Sequence, residues 1–230
     1  MPNSDNNPRN IVISSAVLTG LTPLIPVPFV DDIAYTQFMR RMTSRLAATH
    51  NTELNNESIR VLSDTPKSSC LPGCLGTILI YPIKKIFRKI FFFLEWKRAV
   101  DIVSRTYYHG HLLSFALREG YLKPQNAAEV RSAIDRVLQR VDTRLLERTV
   151  RGVFRQSKDV LRSASDLLAS SLSGRTEETI TEQTVINVED MEGQQVAGVI
   201  NRLQNAIATL PAGHFEQLEG ELAREMGVVP

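Results

Sequence analysis

Residues 127–172 decide the fold: AAEVRSAIDRVLQRVDTRLLERTVRGVFRQSKDVLRSASDLLASSL. Apolar residues recur there at intervals of three and four, the period of an α-helix, and no strand-like alternation competes with that pattern. We expect two helices in this stretch, divided near Gly152 or Ser157. Because 43% of the 230 residues are hydrophobic, the chain can bury a core. The pattern predicts an all-α bundle of about seven or eight helices.

The same stretch carries a stripe of basic residues. On an uninterrupted helix, spacings of three and four keep them on one side: Arg136, Arg140, Arg144, Arg148, Arg151, Arg155, Lys158 and Arg162. Arginine binds phosphate through paired hydrogen bonds, so the stripe suits lipid headgroups or nucleic acid. Lipid is favoured, because no aromatic stacking platform, zinc-ligand spacing or helix-turn-helix pattern accompanies the stripe. The alternative is a solvated face whose charges meet the acidic C-terminal region.

A second basic pattern lies in YPIKKIFRKIFFFLEWK, residues 81–97. On a helical wheel its apolar and basic residues fall on opposite sides, which is typical of a helix lying in a membrane surface. The predicted membrane-contact residues are Ile83, Ile86, Phe87, Ile90, Phe91, Phe92, Phe93, Leu94 and Trp96. The predicted partners of anionic headgroups are Lys84, Lys85, Arg88 and Lys89, together with Arg140, Arg144, Arg148, Arg151 and Arg155. A central helix of a soluble bundle, or one bound in the groove of a partner protein, would show the same pattern.

Two uncharged stretches raise the question of membrane spanning. Residues 10–30 contain no charge, but their three prolines predict a helix near 10–21, an extended turn, and a new helix beginning at Asp31 or Asp32. Residues 70–83 are also uncharged and lead directly into the basic amphipathic helix. Cys70 and Cys74 beside it are candidates for lipidation, or inert thiols of a core. An integral membrane protein with a helical hairpin therefore stays an alternative.

Charge divides the chain into segments that the net value of +2 conceals. Residues 84–162 carry 18 basic and 8 acidic residues, whereas 163–230 carry 3 basic and 11 acidic residues. We expect a disordered leader at 1–10 and a helical main domain at 11–172 that contains the basic amphipathic segment 75–98. An acidic linker at 173–195, with a short strand in TVINVE as the alternative, and a C-terminal helical hairpin at 196–230, divided at Pro211, would follow.

Sequence motifs for catalysis or cofactor binding are absent. The chain has no glycine-rich phosphate loop, dinucleotide fingerprint or metalloprotease helix, so we expect neither an enzyme nor a cofactor. His109 and His111 are two residues apart, which on a helix points them in different directions, so a shared metal ion is not expected and surface or capping roles are. Two cysteines are too few for a disulfide framework and favour a reducing compartment.

These observations lead to one functional prediction. We expect a cytoplasmic protein, peripheral to the membrane, that acts in interaction or regulation and binds anionic lipid through the helix at residues 82–97. A helical protein-interaction module and a nucleic-acid-binding protein that uses the arginine stripe are the soluble alternatives. A protein partner is a further candidate, and the sequence leaves the oligomeric state open.

Overall fold

A computed structural model describes residues 7–25, 30–64, 88–172 and 182–228, with side chains for 7–25, 31–64, 95–171 and 195–228. Within these ranges the chain forms nine α-helices and no strand, which confirms the all-α prediction. The helices are α1 (Pro8–Leu21), α2 (Val30–Thr49), α3 (Asn56–Ser63), α4 (Arg88–Arg118), α5 (Ala127–Arg140), α6 (Arg144–Gln156), α7 (Lys158–Leu172), α8 (Glu182–Ala208) and α9 (Ala212–Glu225).

Helix α1 is the centre of the bundle. Ten of its 14 residues are buried, and it packs against α4, α2 and α8. Asn7 caps it by accepting a hydrogen bond from the Arg9 backbone N–H, so the helix begins inside the segment that the sequence assigned to a leader. Burial on almost every side accounts for the absence of charge from residue 10 to the end of this helix, because charged groups are costly in a protein interior. Among the described helices, none combines the length and the apolar character that crossing a bilayer requires.

Helix α4 is the longest of the helices that pack against α1. It begins at Arg88 and ends at Arg118. Gly120 then takes a positive φ of 70°, the left-handed conformation that commonly ends a helix and that glycine adopts without strain. The backbones of α1 and α4 approach closely at Gly20, where an added Cβ would lie 2.2 Å from Cγ2 of Val103.

Residues 127–172 form three helices where the sequence predicted two. The division at Ser157 agrees with the prediction, but a second break separates α5 from α6 at residues 141–143. There Val141 is extended, with ψ of 139°, and the carboxylate of Asp142 accepts a hydrogen bond of 3.0 Å from the backbone N–H of Arg144. The expectation of one continuous stripe of basic residues is therefore wrong, because its members are divided among three helices.

The C-terminal region also differs from the prediction. Helix α8 begins at Glu182, so residues 182–195 are helical where a linker or short strand was expected, while 173–181 lie outside the described residues. Pro211 separates α8 from α9 as predicted, but the two helices diverge after it. Helix α8 packs on α1, α6 and α7, whereas α9 packs on α5 and α4. The two helices thus fasten to different sides of the bundle and do not form the packed hairpin that the sequence suggested.

Candidate functional site

Helix α6 carries an arginine-rich face opposite its buried side. Its buried residues are Leu146, Val150, Val153 and Phe154. Its exposed residues include Arg144, Arg148, Arg151 and Arg155, which fall within an arc of about 60° at 3.6 residues per turn. The apolar period that folds this helix onto α4 and α8 therefore also fixes the direction in which the guanidinium groups point.

Three basic residues of the original stripe are neutralised by nearby carboxylates. Arg144 pairs with Asp142 through two hydrogen bonds of 2.9 Å, and this pairing lowers the pKa of Asp142 to about 2. Glu225 of α9 accepts hydrogen bonds from Arg140 and from Nε of Arg136, the latter at 2.6 Å. Those bonds, first from Arg140 and then from Arg136, lower the pKa of Glu225. The acidic C-terminal region thus meets the basic stripe at Glu225, and it meets Arg118 of the basic region at Glu219.

The other three arginines of α6 have no such partner. In the described part of the chain, the guanidinium groups of Arg148, Arg151 and Arg155 form neither an ion pair nor a hydrogen bond. We call these three residues the α6 arginine face. Asp101 of α4 lies near enough to Arg151 to feel its charge, but burial and the neighbouring Glu147 raise the pKa of Asp101. The α6 arginine face therefore stands in solvent with a positive charge that the protein leaves largely uncompensated.

The α6 arginine face adjoins the beginning of α4. Helix α6 runs antiparallel to α4, because Asp142 and Glu147 lie near Tyr108, whereas the Phe154 ring packs edge-on against Trp96 at 5.8 Å. The C-terminal end of α6 is thus beside the N-terminal part of α4, where the phenylalanine-rich sequence lies. Trp96, a predicted membrane-contact residue, is partly buried in this junction and packs against the core.

Most of the predicted membrane-contact residues cannot be compared with the structure. Ile90, Phe91, Phe92, Phe93 and Leu94 belong to α4, as do Arg88 and Lys89, but their side chains are outside the described set. Ile83, Lys84, Lys85, Ile86, Phe87, Cys70 and Cys74 lie outside the described residues altogether. The prediction for this segment stays a prediction. Of the residues predicted to meet lipid, the structure describes the side chains of Trp96 and of the arginines in α5 and α6.

The histidines take different positions from those expected. His109 is buried, and that burial, with the charge of Arg131, lowers its pKa to about 3, so its surface or capping role is wrong. His111 lies 3.0 Å from Oε1 of Glu219 in α9, and His50 lies 3.0 Å from Oγ of Ser114. Among the residues with described side chains, no three His, Cys, Asp or Glu groups are arranged to hold a metal ion.

Sequence reasoning missed a second polar cluster. Nε2 of His111 in α4 lies 3.0 Å from Oε1 of Glu219 in α9, and His50, the residue after α2, lines the same cleft as His111. Its members are far apart in the chain, and no local spacing links them. The residue pattern of each helix indicates which positions are polar, but only the path of α9 across α4 brings these groups together. Comparison with known proteins gives no further guide: no protein-family model, no curated protein and no solved structure matches the chain.

Proposed function

We propose that this protein binds reversibly to anionic membrane surfaces, as an interaction or regulatory protein at the cytoplasmic leaflet. The observation that carries the proposal is the α6 arginine face, three exposed guanidinium groups without a carboxylate partner in the described chain. Uncompensated positive charge on a rigid helix attracts an anionic surface, and a guanidinium group can donate two hydrogen bonds to one phosphate.

The position of this face supports a lipid surface over other anions. Phe154, next to Arg155, contacts Trp96 in the first described part of α4, and the residues that precede Trp96 read KIFFFLE. Electrostatic attraction by α6 and apolar insertion by the phenylalanine-rich segment would then act at one end of the bundle. Peripheral proteins commonly combine these two contributions, because either alone gives weak and reversible binding.

The expected strength of the electrostatic part follows from the number of charges. Each basic residue near an anionic leaflet contributes about 1 kcal/mol. Three arginines therefore contribute about 3 kcal/mol, which corresponds to roughly a hundredfold change in affinity. Because this attraction acts through solvent, it should weaken as salt is added, with a Debye length of about 8 Å at physiological ionic strength.

Vesicle co-sedimentation with a charge-matched control tests the proposal. The test variant is Arg148→Gln/Arg151→Gln/Arg155→Gln, and the control is Arg60→Gln/Lys123→Gln/Arg224→Gln, which removes the same charge from three exposed residues elsewhere. With vesicles of phosphatidylcholine and phosphatidylserine, the test variant should bind roughly a hundredfold more weakly than the parent, and the control should bind nearly as the parent does. Circular dichroism verifies that both variants are folded.

Two results would contradict the proposal. One is equal loss of binding in the test and control variants, which would mean that only the total charge matters. The other is a parent protein that ignores phosphatidylserine vesicles altogether. Phe91→Glu tests the apolar contribution in the same assay. It opposes insertion of the phenylalanine-rich segment into the membrane and leaves the α6 arginine face unchanged. Parallel titration with duplex DNA detects the nucleic-acid alternative, whose affinity would fall linearly with the logarithm of salt concentration and would not respond to lipid.

A further inference from the structure

A cleft of about 440 Å³ opens where the beginning of α1, the C-terminal half of α4 and the turn between α8 and α9 meet. Its volume lies in the range of pockets that hold small molecules. None of the α6 arginines lines it, so it is a separate feature from the membrane-binding surface proposed above. Its lining combines aromatic rings, guanidinium groups and neutral polar groups, and each of these limits what the cleft can bind.

Three aromatic rings form one wall of the cleft. Phe215 of α9 packs edge-on against Tyr107 with ring centres 5.9 Å apart, and it also contacts the His111 ring at 5.1 Å. Tyr107 and His111 lie one turn apart on α4 with nearly parallel rings. A wall of this kind favours a flat ring, because aromatic groups gain from stacked and edge-on contacts beyond the area that they bury.

Positive charge lies at the rim of the cleft. Arg9 and Arg118 both line it, and no Asp or Glu does. Arg118 is held in place by Glu119 at 2.9 Å and Glu219 at 3.4 Å, so much of its charge is already balanced. The Arg9 guanidinium interacts with the Tyr107 hydroxyl, a neutral group that leaves its charge uncompensated. The cleft thus presents one unbalanced guanidinium group next to an aromatic wall.

Neutral hydrogen-bonding groups complete the lining. His50 and Ser114 lie in the cleft with Nε2 and Oγ 3.0 Å apart. Burial, with the positive charge of Arg118, lowers the pKa of His50, so this imidazole is neutral at physiological pH. These two groups can donate to or accept from a polar substituent without adding charge.

We propose that this cleft binds a small flat anion, an aromatic ring that carries one carboxylate. The ring lies against Tyr107 and Phe215, and the carboxylate accepts hydrogen bonds from the Arg9 guanidinium. A charged hydrogen bond of this kind is stronger than a neutral one. The carboxylate therefore contributes most of the affinity, and the aromatic wall selects ligands with a flat ring. A single carboxylate matches the single unbalanced guanidinium group, whereas a doubly charged ligand would leave one charge without a partner.

Isothermal titration calorimetry with 2-naphthoate tests this proposal, with 2-naphthamide as the neutral probe of the same shape. We expect one 2-naphthoate to bind per protein. The amide should bind with about tenfold lower affinity, since a charge-assisted hydrogen bond is lost. Arg9→Gln should reduce 2-naphthoate affinity to that of the amide. Arg60→Gln, which removes an exposed arginine outside the cleft, should leave both affinities unchanged.

A blocking variant tests the location independently of charge. Ala208 is exposed and lines the cleft, so Ala208→Trp should fill it and abolish binding of both probes without disturbing the core. Ala128→Trp, at an exposed position of α5 outside the cleft, is the matched control and should bind as the parent does. Absence of 2-naphthoate binding, equal affinity for the amide, or undiminished binding by Ala208→Trp would each overturn the proposal.

Discussion

Helices α1 and α6 have nearly the same length, 14 and 13 residues, yet they meet the rest of the protein in opposite ways. α1 has neighbours on almost every side and contributes ten buried residues. α6 buries four residues on one face and presents arginines on the other. The difference separates two roles. The buried side chains of α1 hold the bundle together, whereas the outer face of α6 carries three arginines that form no ion pair or hydrogen bond within the described part of the fold, which is why the proposed function is placed there.

The largest expected effect tests the structural half of this comparison. Leu18 of α1 is 1% exposed, and Leu18→Ala should lower the free energy of unfolding by about 2–5 kcal/mol, because it removes apolar contacts and leaves a cavity. Arg148→Ala on the α6 arginine face should change it by less than about 0.5 kcal/mol. Urea denaturation measures both. Similar losses in the two variants would show that α6 depends on its arginines for stability.

Alanine substitutions at two glycines, one in each helix, should change the stability in opposite directions. At Gly20 of α1 an added Cβ would lie 2.2 Å from the Val103 side chain, whereas at Gly152 of α6 nothing lies within 4 Å. Gly20→Ala should therefore destabilise the protein by about 1–3 kcal/mol through overpacking. Gly152→Ala should stabilise it by about 0.5–1 kcal/mol, because alanine favours a helix. Thermal unfolding of the two variants checks the signs, and a gain in stability at Gly20 would contradict the close approach of α1 and α4.

Burial in the interior also changes the pKa of a titratable group, His109. Burial lowers the pKa of His109 to about 3, below its unfolded value, so folding favours the neutral ring. The resulting stability is present above the unfolded pKa of 6.5 and is lost as the pH falls toward 3. His109 alone should remove about 1 kcal/mol between pH 6 and pH 5. His109→Gln should flatten the pH dependence of urea denaturation by that amount, and an unchanged slope would show that His109 is accessible to protons in the folded state.

The smallest effect concerns the surface of α5. Glu225 neutralises Arg136 and Arg140, whose side chains are about half exposed, and ion pairs with exposed arginines contribute little, so Glu225→Gln should change the free energy of unfolding by less than about 1 kcal/mol. The same change leaves both arginines without their counter-charge, so binding to phosphatidylserine vesicles should strengthen severalfold. Glu221→Gln, one turn earlier on α9, removes the same charge without releasing either arginine and is the matched control. Equal binding by the two variants would show that α5 lies away from the lipid.

Sequence periodicity was sufficient to predict most of the helices, because each helix buries a stripe whose spacing is visible in the chain. It could not show where the apolar residues of α1 are buried, since protein interior and lipid favour the same side chains. It also missed the break at 141–143, where neither glycine nor proline interrupts VDT. At that break the Asp142 carboxylate accepts a hydrogen bond from the backbone N–H of Arg144, a turn that an aspartate can form but that its presence in the sequence does not require.

The candidate sites, like the helices, could be predicted from the sequence only in part. The arginines of α6 could be listed from their spacing, but the sequence could not distinguish the paired Arg136 and Arg140 from the unpaired Arg148, because Glu225 comes from a distant helix. The cleft was not predicted at all. Its lining comes from the beginning of α1, from His50 just after α2, from α4, and from α8 and α9 on both sides of Pro211. Only the tertiary arrangement makes those residues neighbours.

The divergence of α9 from α8 after Pro211 has a consequence for proteolysis. Phe215 forms part of the cleft wall, and Glu225 at the other end of α9 covers two guanidinium groups of α5. A protease that cut the exposed turn at Pro211 and released α9 would therefore unmask positive charge on one side of the molecule while it dismantled the ligand pocket on another. One irreversible cleavage would therefore act in opposite directions on the two sites proposed above.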